Sequence, residues 1–294
     1  NISFKKNDEN MYFGSLGYGV LKDLYNDPLI TEELNGSYIL EFDYKIDGAL
    51  SEYLIEENII KANGQPFVIY DIKKDISKIS ILAKHWVLNE WTKDFLLDVA
   101  PTDLNSQNAL NWIQNKGTNQ LSISINGDCE KLASARYVRK NLINAIFNED
   151  NALLARFGGE LSYDKDSVFV HSKRGNNSGI TIRERKNLSG IEFHSDFSTV
   201  ATRLLPLGKD GLMIDSIFVD SPIIDHYSTP IIKKVEIDSD NLEELYNYCE
   251  NLYKNDIDKP TVSIKIDFVE LSKTTEYQKY SNLESVHLGD TVLA

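Results

Sequence analysis

The sequence predicts an α+β chain in which β-structure dominates. Three observations carry that reading: long stretches of alternating apolar and polar residues, Asn-Gly and Asp-Gly dipeptides that break them, and three short segments of helical spacing further along. From Ser37 to Lys84 the chain reads YILEFDYKI, PFVIYDI and KISILAK, with breaks at Asp47-Gly48 and Asn63-Gly64. Successive side chains of a strand point to opposite faces, so this stretch predicts antiparallel hairpins with one buried face. Pro101 follows the run WTKDFLLDVA and the composition changes after it, which places a boundary near 102. Ser106 is positioned to cap a short helix with Ala109, Leu110 and Ile113 on one face, ending at Gly117, and the strand LSISI follows. Over 134–148, Ala135, Val138, Leu142, Ala145 and Ile146 recur at helical spacing with Arg136, Arg139 and Lys140 between them, predicting an amphipathic helix. The hairpin GELSYDKDSVFVHSK, turning at Asp164-Lys165-Asp166, the loop RGNNSG and the strand ITIRER complete the middle. Strands resume at Leu188. They are interrupted by the clearest helix, where Asp240 and Glu243 form a capping-box start and Leu242, Leu245, Tyr246, Cys249, Leu252 and Tyr253 make the apolar stripe. Pro260 closes it and the strand TVSIKIDFVEL follows. The expected organisation is β-rich over 1–102, mixed α+β over 103–188, and β again over 189–294 with the helix inserted at about 238–257.

Charge narrows the function classes. Of 294 residues, 31 are Lys or Arg and 45 are Asp or Glu, a net charge of −14. Such a chain repels phosphate and anionic lipid, which argues against a DNA reader or a membrane-surface protein, and no long basic run reverses this locally. A hydrophobic content of 41% supports packed cores rather than disorder. Cys129 and Cys249 lie far apart, outside any metal-ligand spacing, and read as two buried small residues. No apolar run approaches the ~20 residues of a membrane span, and the opening NISFKKNDEN lacks the apolar core of a signal peptide, so a soluble segment is expected. The start at Asn1 and the end on LGDTVLA read as the bounds of a fragment cut from a longer protein.

Searches for chemistry return weak signals. Gly14, Gly17 and Gly19 reverse the dinucleotide fingerprint and read as turn glycines. His85, His171, His194, His226 and His287 are scattered, with no second ligand one helical turn away. His194-Ser195-Asp196 holds triad residue types, but strand neighbours point apart; Asp225-His226 is the better oriented pair and still reads as turn chemistry. Glu56-Glu57, Glu149-Asp150 and Glu243-Glu244 are carboxylate pairs that a chain this acidic produces on solvated faces. The basic patches KHW at 84–86, RYVRK at 136–140 and RERK at 183–186 read as salt-bridged surface.

The run LLARFGGELSYDKDSVFVHSKRGNNSGITIRERKNLSGIEFHSDFSTVATRLLPLGKDGL at 153–212 resembles the prophage endopeptidase tail, or phage minor structural protein, family of siphophages infecting Gram-positive bacteria. The matching features are the GGEL strand, the RG loop before an I-x-I-R strand, KNLSGIE and TRLLPLGKDG, with PFVIYDIKKDISKISILAKHW at 66–86 and LESVHLGDTVL at 283–293 agreeing in the flanks. The resemblance implies a baseplate-hub fold: two antiparallel β-barrels joined by an α+β domain, with a helical insertion in the second barrel. It implies a homotrimeric ring in the virion tail tip that continues the tail tube, contacts distal tail, tape-measure and receptor-binding or tail-fibre proteins, and lets DNA pass without specific binding. It carries over no catalytic, cofactor-binding or metal-binding residue, and any cell-wall hydrolase module belongs C-terminal to this segment. The expected function is therefore structural rather than enzymatic. The alternative is a peptidoglycan hydrolase with an unrecognised or C-terminally missing catalytic module, and a third reading is a saccharide binder using Trp86, Trp91 and Trp112, residues that read better as core.

Overall fold

The computed structural model describes residues 2–3, 17–121, 123–147, 151–181, 188–237, 239–268 and 286–293. They divide into two compact units, Asn1–Ile180 with Val286–Val292, and Thr181–Ser285 with Leu293–Ala294. The second is thus an insertion in the sequence of the first.

The first unit is built on a six-stranded antiparallel sheet of β1 (Ile2–Ser3), β2 (Leu29–Glu32), β3 (Tyr38–Lys45), β4 (Ile59–Ala62), β5 (Gln65–Lys74) and β6 (Lys78–His85), in the order β1-β4-β5-β6-β3-β2. Alternation produces it. Leu40, Phe42 and Tyr44 stand opposite Ala83, Ile81 and Ile79, which puts six buried side chains on one face. Asn63 and Gly64, both at positive φ, make the tight turn from β4 to β5. The β5 ladder shifts register between Ile69 and Asp71, the irregularity of a bulge.

The rest of the unit follows in sequence and contributes to the core on that face. It comprises α1 (Trp86–Lys93), β7 (Phe95–Val99), α2 (Ser106–Asn115), β8 (Ser124–Gly127), β9 (Tyr137–Asn141), α3 (Leu142–Phe147), α4 (Leu153–Phe157), β10 (Glu160–Asp164), β11 (Ser167–His171) and β12 (Asn177–Thr181). One core runs through Leu40, Phe67 and Ile81 of the sheet, Trp91, Leu110, Ile146 and Phe157 of the helices, and Leu161 and Val170 of the β10–β11 hairpin. This core draws side chains from both sides of residue 102.

Several local expectations are corrected. Helical spacing over 134–148 yields the strand β9, paired with β7, and only then the short helix α3. Arg136 forks onto Asp98 across the pair at 2.9 and 2.7 Å, and Arg139 sits at φ +52°, which no right-handed helix accommodates; tertiary pairing overrides the periodicity. The expected strand LSISI begins later, at Ser124. α2 is capped by Asn105, whose Oδ1 accepts from the Asn108 N–H, while Ser106 is buried one residue inside.

Asp94 knits the elements together. Its Oδ1 accepts from the Phe95 N–H (2.8 Å), the Asn119 N–H (2.9 Å) and the Thr118 hydroxyl (3.0 Å). Gly117 approaches so closely that a Cβ there would run into the Asp94 carboxylate. Gly117→Ala is expected to cost about 1–3 kcal/mol, the range for overpacking, in denaturant unfolding; an unchanged midpoint would show that the carboxylate yields freely.

The second unit contains β13 (Leu188–Asp196), β14 (Arg203–Leu207), β15 (Val219–Asp220), β16 (Ile232–Glu236), α5 (Leu242–Lys254) and β17 (Thr261–Phe268). Strand β14 pairs antiparallel with β15 and parallel with β16, and α5 lays Leu245, Cys249 and Tyr253 against Leu204, Val219, Ile214 and Ala201. The helix is capped by Asn241, which accepts from the Glu243 N–H at 2.9 Å, rather than by Asp240. The last strand, β18 (Thr291–Leu293), pairs with β12.

Candidate functional site

The residues singled out for chemistry are dispersed. His85 is buried in the main core, His171 bonds Ser162 within the β10–β11 hairpin, His194 is exposed on β13, His226 ends the short turn Ile224–His226 that also holds Asp225, and His287 precedes β18. His194 and Asp196 lie on one face of β13 and Ser195 on the other. Glu57 pairs with Lys93 at 2.7 Å, and Glu243 and Glu244 occupy the first turn of α5, where Glu244 accepts from Ser239. Gly17 and Gly19 have positive φ, as turn glycines do. Gly14, Glu149-Asp150 and the RERK run lie outside the described residues. Cys129 and Cys249 are free and buried, and burial pushes the Cys249 thiol up to about 11. Trp91 is core, Trp112 packs against it and Trp86 covers Ile59 and Val68. Among the described residues, no group of three or more His, Cys, Asp and Glu is arranged to hold a metal.

What the structure does assemble is a surface. β13 and β17 form a two-stranded antiparallel ribbon from Leu188/Phe268 to Asp196/Thr261. Residues opposite one another share a face, so Ile191 with Ile266, Phe193 with Ile264 and Ser195 with Val262 make one side apolar. Gly190 with Asp267, Glu192 with Lys265, His194 with Ser263 and Asp196 with Thr261 make the other side polar, three carboxylates against one lysine. The apolar side is open: Phe193 is 67% exposed and Val262 60%. Among the described residues this sheet has no third strand. Ribbons of two strands are marginal alone and large exposed apolar faces mark interfaces.

Residues from distant parts of the sequence also meet. Arg174 donates to Glu32 Oε1 (2.6 Å) and to the Leu161 carbonyl, and its N–H donates to Glu160. Asn35 completes the edge of β10, donating to the Gly159 carbonyl and accepting from the Leu161 N–H. Gly175 (φ +79°) and Gly289 (φ +93°) bring two backbones together so closely that a Cβ on either would strike the other segment. Asp290 accepts from the N–H groups of Asn176 (2.8 Å) and His287 (3.0 Å), and the Thr291 N–H donates to the Asn176 carbonyl. The RG loop and the HLGD segment thus form one clasp beside the β12–β18 pair, through which the chain leaves and re-enters the first unit. Glu32 and Asn35 are not singled out in the sequence, and Asp290 stands there only as part of the matching segment LESVHLGDTVL.

Two family models match the chain: the N-terminal domain of the prophage endopeptidase tail over residues 6–85, and the prophage endopeptidase tail over residues 176–294. No curated protein sequence matches it. Its fold is similar to that of prophage tail protein gp18 from Listeria monocytogenes EGD-e, with a TM-score of 0.54 and 17% identity over 84% of this chain and 76% of that one. It is also similar to the 43 kDa tail protein of prophage MuSo2 from Shewanella oneidensis, with a TM-score of 0.51 and 10% identity over 77% of this chain and 73% of that one. At such identities the likeness is one of fold.

Proposed function

Because the chain belongs to the prophage endopeptidase tail family, a structural component of the virion tail, we propose that it forms the hub of the tail tip, three copies closing into a ring that continues the tail tube. In this reading segments 1–102 and 189–294 supply two barrels around an α+β link at 103–188. The ring joins tail tube, tape-measure and distal tail proteins to receptor-binding or tail-fibre proteins. The chain is not an enzyme; the family name mentions an endopeptidase, and a cell-wall hydrolase module, where one exists, belongs to a separate C-terminal region.

The observation that carries this reading is the β13–β17 ribbon. Its apolar side needs cover that a neighbouring copy supplies, and its polar side, with Glu192, Asp196 and Asp267 against Lys265, suits a lumen through which DNA passes without sticking. Three copies bear a formal charge of −42, three times −14, so contacts rest on apolar surface and repulsion opposes closure. Assembly is expected to strengthen as salt screens that repulsion. Phe193→Asp is expected to weaken association roughly a hundredfold, the effect of a lost interface anchor, while the monomer stays folded. Mass measurement in solution at low and high ionic strength, with and without duplex DNA, checks this. A trimer that dissociates on adding salt or retains DNA at physiological salt would sink the reading, as would clearing of purified cell walls by this segment.

A further inference from the structure

The chain contains three Asn-Gly steps, Asn35-Gly36, Asn63-Gly64 and Asn126-Gly127. Such a step rearranges without a catalyst. The glycine nitrogen gives up its proton to solvent and attacks the asparagine Cγ, ammonia leaves, and a five-membered imide forms. Water then opens the imide. Breaking the bond to the side-chain carbonyl gives aspartate; breaking the bond to the main-chain carbonyl gives isoaspartate, with the chain running on through Cβ and Cγ. Glycine permits the rotation this needs because it has no Cβ, so the three steps differ in how firmly the fold holds each one.

Asn35 is held at both ends. Its Nδ2 donates to the Gly159 carbonyl at 2.8 Å, its Oδ1 accepts from the Leu161 N–H at 2.9 Å, and the Gly36 N–H donates to the Glu33 carbonyl at 3.2 Å. Asn126 and Gly127 lie in β8, opposite Phe169 and Val170 of β11. Gly127 approaches β11 so closely that a Cβ there would stand 2.5 Å from the Val170 carbonyl oxygen, which leaves that backbone little room to swing.

Asn63 has no such restraint. The ladder between β4 and β5 closes at Ala62 with Gln65, so Asn63 and Gly64 form a two-residue turn, both exposed and at φ +47° and +75°. In such a turn the flanking pair carries the last ladder bonds, which leaves the Gly64 N–H to solvent. Among the described residues the Asn63 carboxamide makes no hydrogen bond, and no atom lies within 4 Å of where a Gly64 Cβ would stand. Only the turn itself must open for Cγ to meet the nitrogen.

We propose that Asn63 is a site of spontaneous deamidation in the folded chain, modified well before Asn35 and Asn126. Each event adds a negative charge at the tip of the β4–β5 hairpin, and the isoaspartyl product also adds a carbon to the backbone there. The step is the same in a single copy and in a ring.

The test incubates the full chain in warm, mildly alkaline buffer and maps its peptides by mass over time. Freeing Asn35 breaks hydrogen bonds that Asn63 does not make, so conversion at 63 should run roughly tenfold or more ahead of conversion at 35. Asn126, paired in a ladder, should lag likewise. In denaturant, where the fold no longer separates the three steps, their rates should draw together. Equal rates in the folded chain, or a lead by Asn35 or Asn126, overturns the proposal. So does a lead of Asn63 that persists unchanged in denaturant, since local sequence and not the fold would then set the order.

Discussion

Leu245→Asp is expected to unfold the second unit and leave the first standing. Leu245 is fully buried where α5 meets Leu204 and Val219. An aspartate there loses the leucine's burial and brings a charge with no partner, together about 4–5 kcal/mol or more. The unit has little reserve. Among the described residues its core holds seven buried side chains, Ala201, Leu204, Ile214, Val219, Leu245, Cys249 and Tyr253, two of them as small as Ala and Cys. Whole domains are stable by only ~5–15 kcal/mol, so this loss removes most of what so small a core provides. All three tryptophans, Trp86, Trp91 and Trp112, lie in the first unit, so their fluorescence reports on it alone. The variant should keep the parent's tryptophan emission and its cooperative melt, yet lose helical circular dichroism and become cleavable by protease between 181 and 285. If it melts as the parent does and resists protease, α5 is not docked by this stripe.

The same helix shows what the sequence discloses. Spacing of i, i+3, i+4 and i+7 located α5, and strict alternation located β3, β6 and the β10–β11 hairpin, because each buries one face against a core the chain itself supplies. Periodicity failed at Tyr137–Asn141, where β7 offers an edge and Arg136 finds Asp98, partners that no local window contains. Caps moved by one residue from Ser106 to Asn105 and from Asp240 to Asn241, both changes favouring an amide next to the residue expected. For the candidate surface the limit is of another kind. The alternation in SGIEFHSD and TVSIKIDF was visible, but alternation cannot say whether the apolar side meets the chain's own core; here Ile191, Phe193, Val262 and Ile264 remain open. The clasp of Gly175 with Gly289 joins positions too distant in sequence for any spacing rule.

Stability is expected to fall as the pH drops from 6.5, well before the carboxylates titrate, and His85 is the cause. Its ring is fully buried, stacked on Tyr38 at 4.9 Å and edge-on to Phe67 at 5.8 Å. Nδ1 accepts from the Val87 N–H at the start of α1, which leaves Nε2 to donate to Gln65 Oε1 at 3.3 Å. Both nitrogens are thus served in the neutral ring. A proton on Nδ1 would set donor against donor and bury a charge. Desolvation accordingly lowers the imidazole from 6.5 to about 3. Since the folded value lies below the unfolded one, the unfolded chain binds the extra proton throughout this window, and the contribution is complete above 6.5 and lost as pH falls toward 3. Each pH unit inside the window removes about 1.4 kcal/mol, so roughly 2–3 kcal/mol is gone by pH 4.5. Asp43, Asp98 and Asp220 are held below the ordinary carboxylate value by Lys78, Arg136 and Arg203, so their losses come lower still. Denaturant unfolding at several pH values between 7.5 and 4.5 should show the slope in the parent and its absence in His85→Asn, whose side chain can still cap α1 and carries no titrating group. A parent whose stability stays flat across that range, or a variant that keeps the slope, would mean that His85 protonates in the folded protein without resistance.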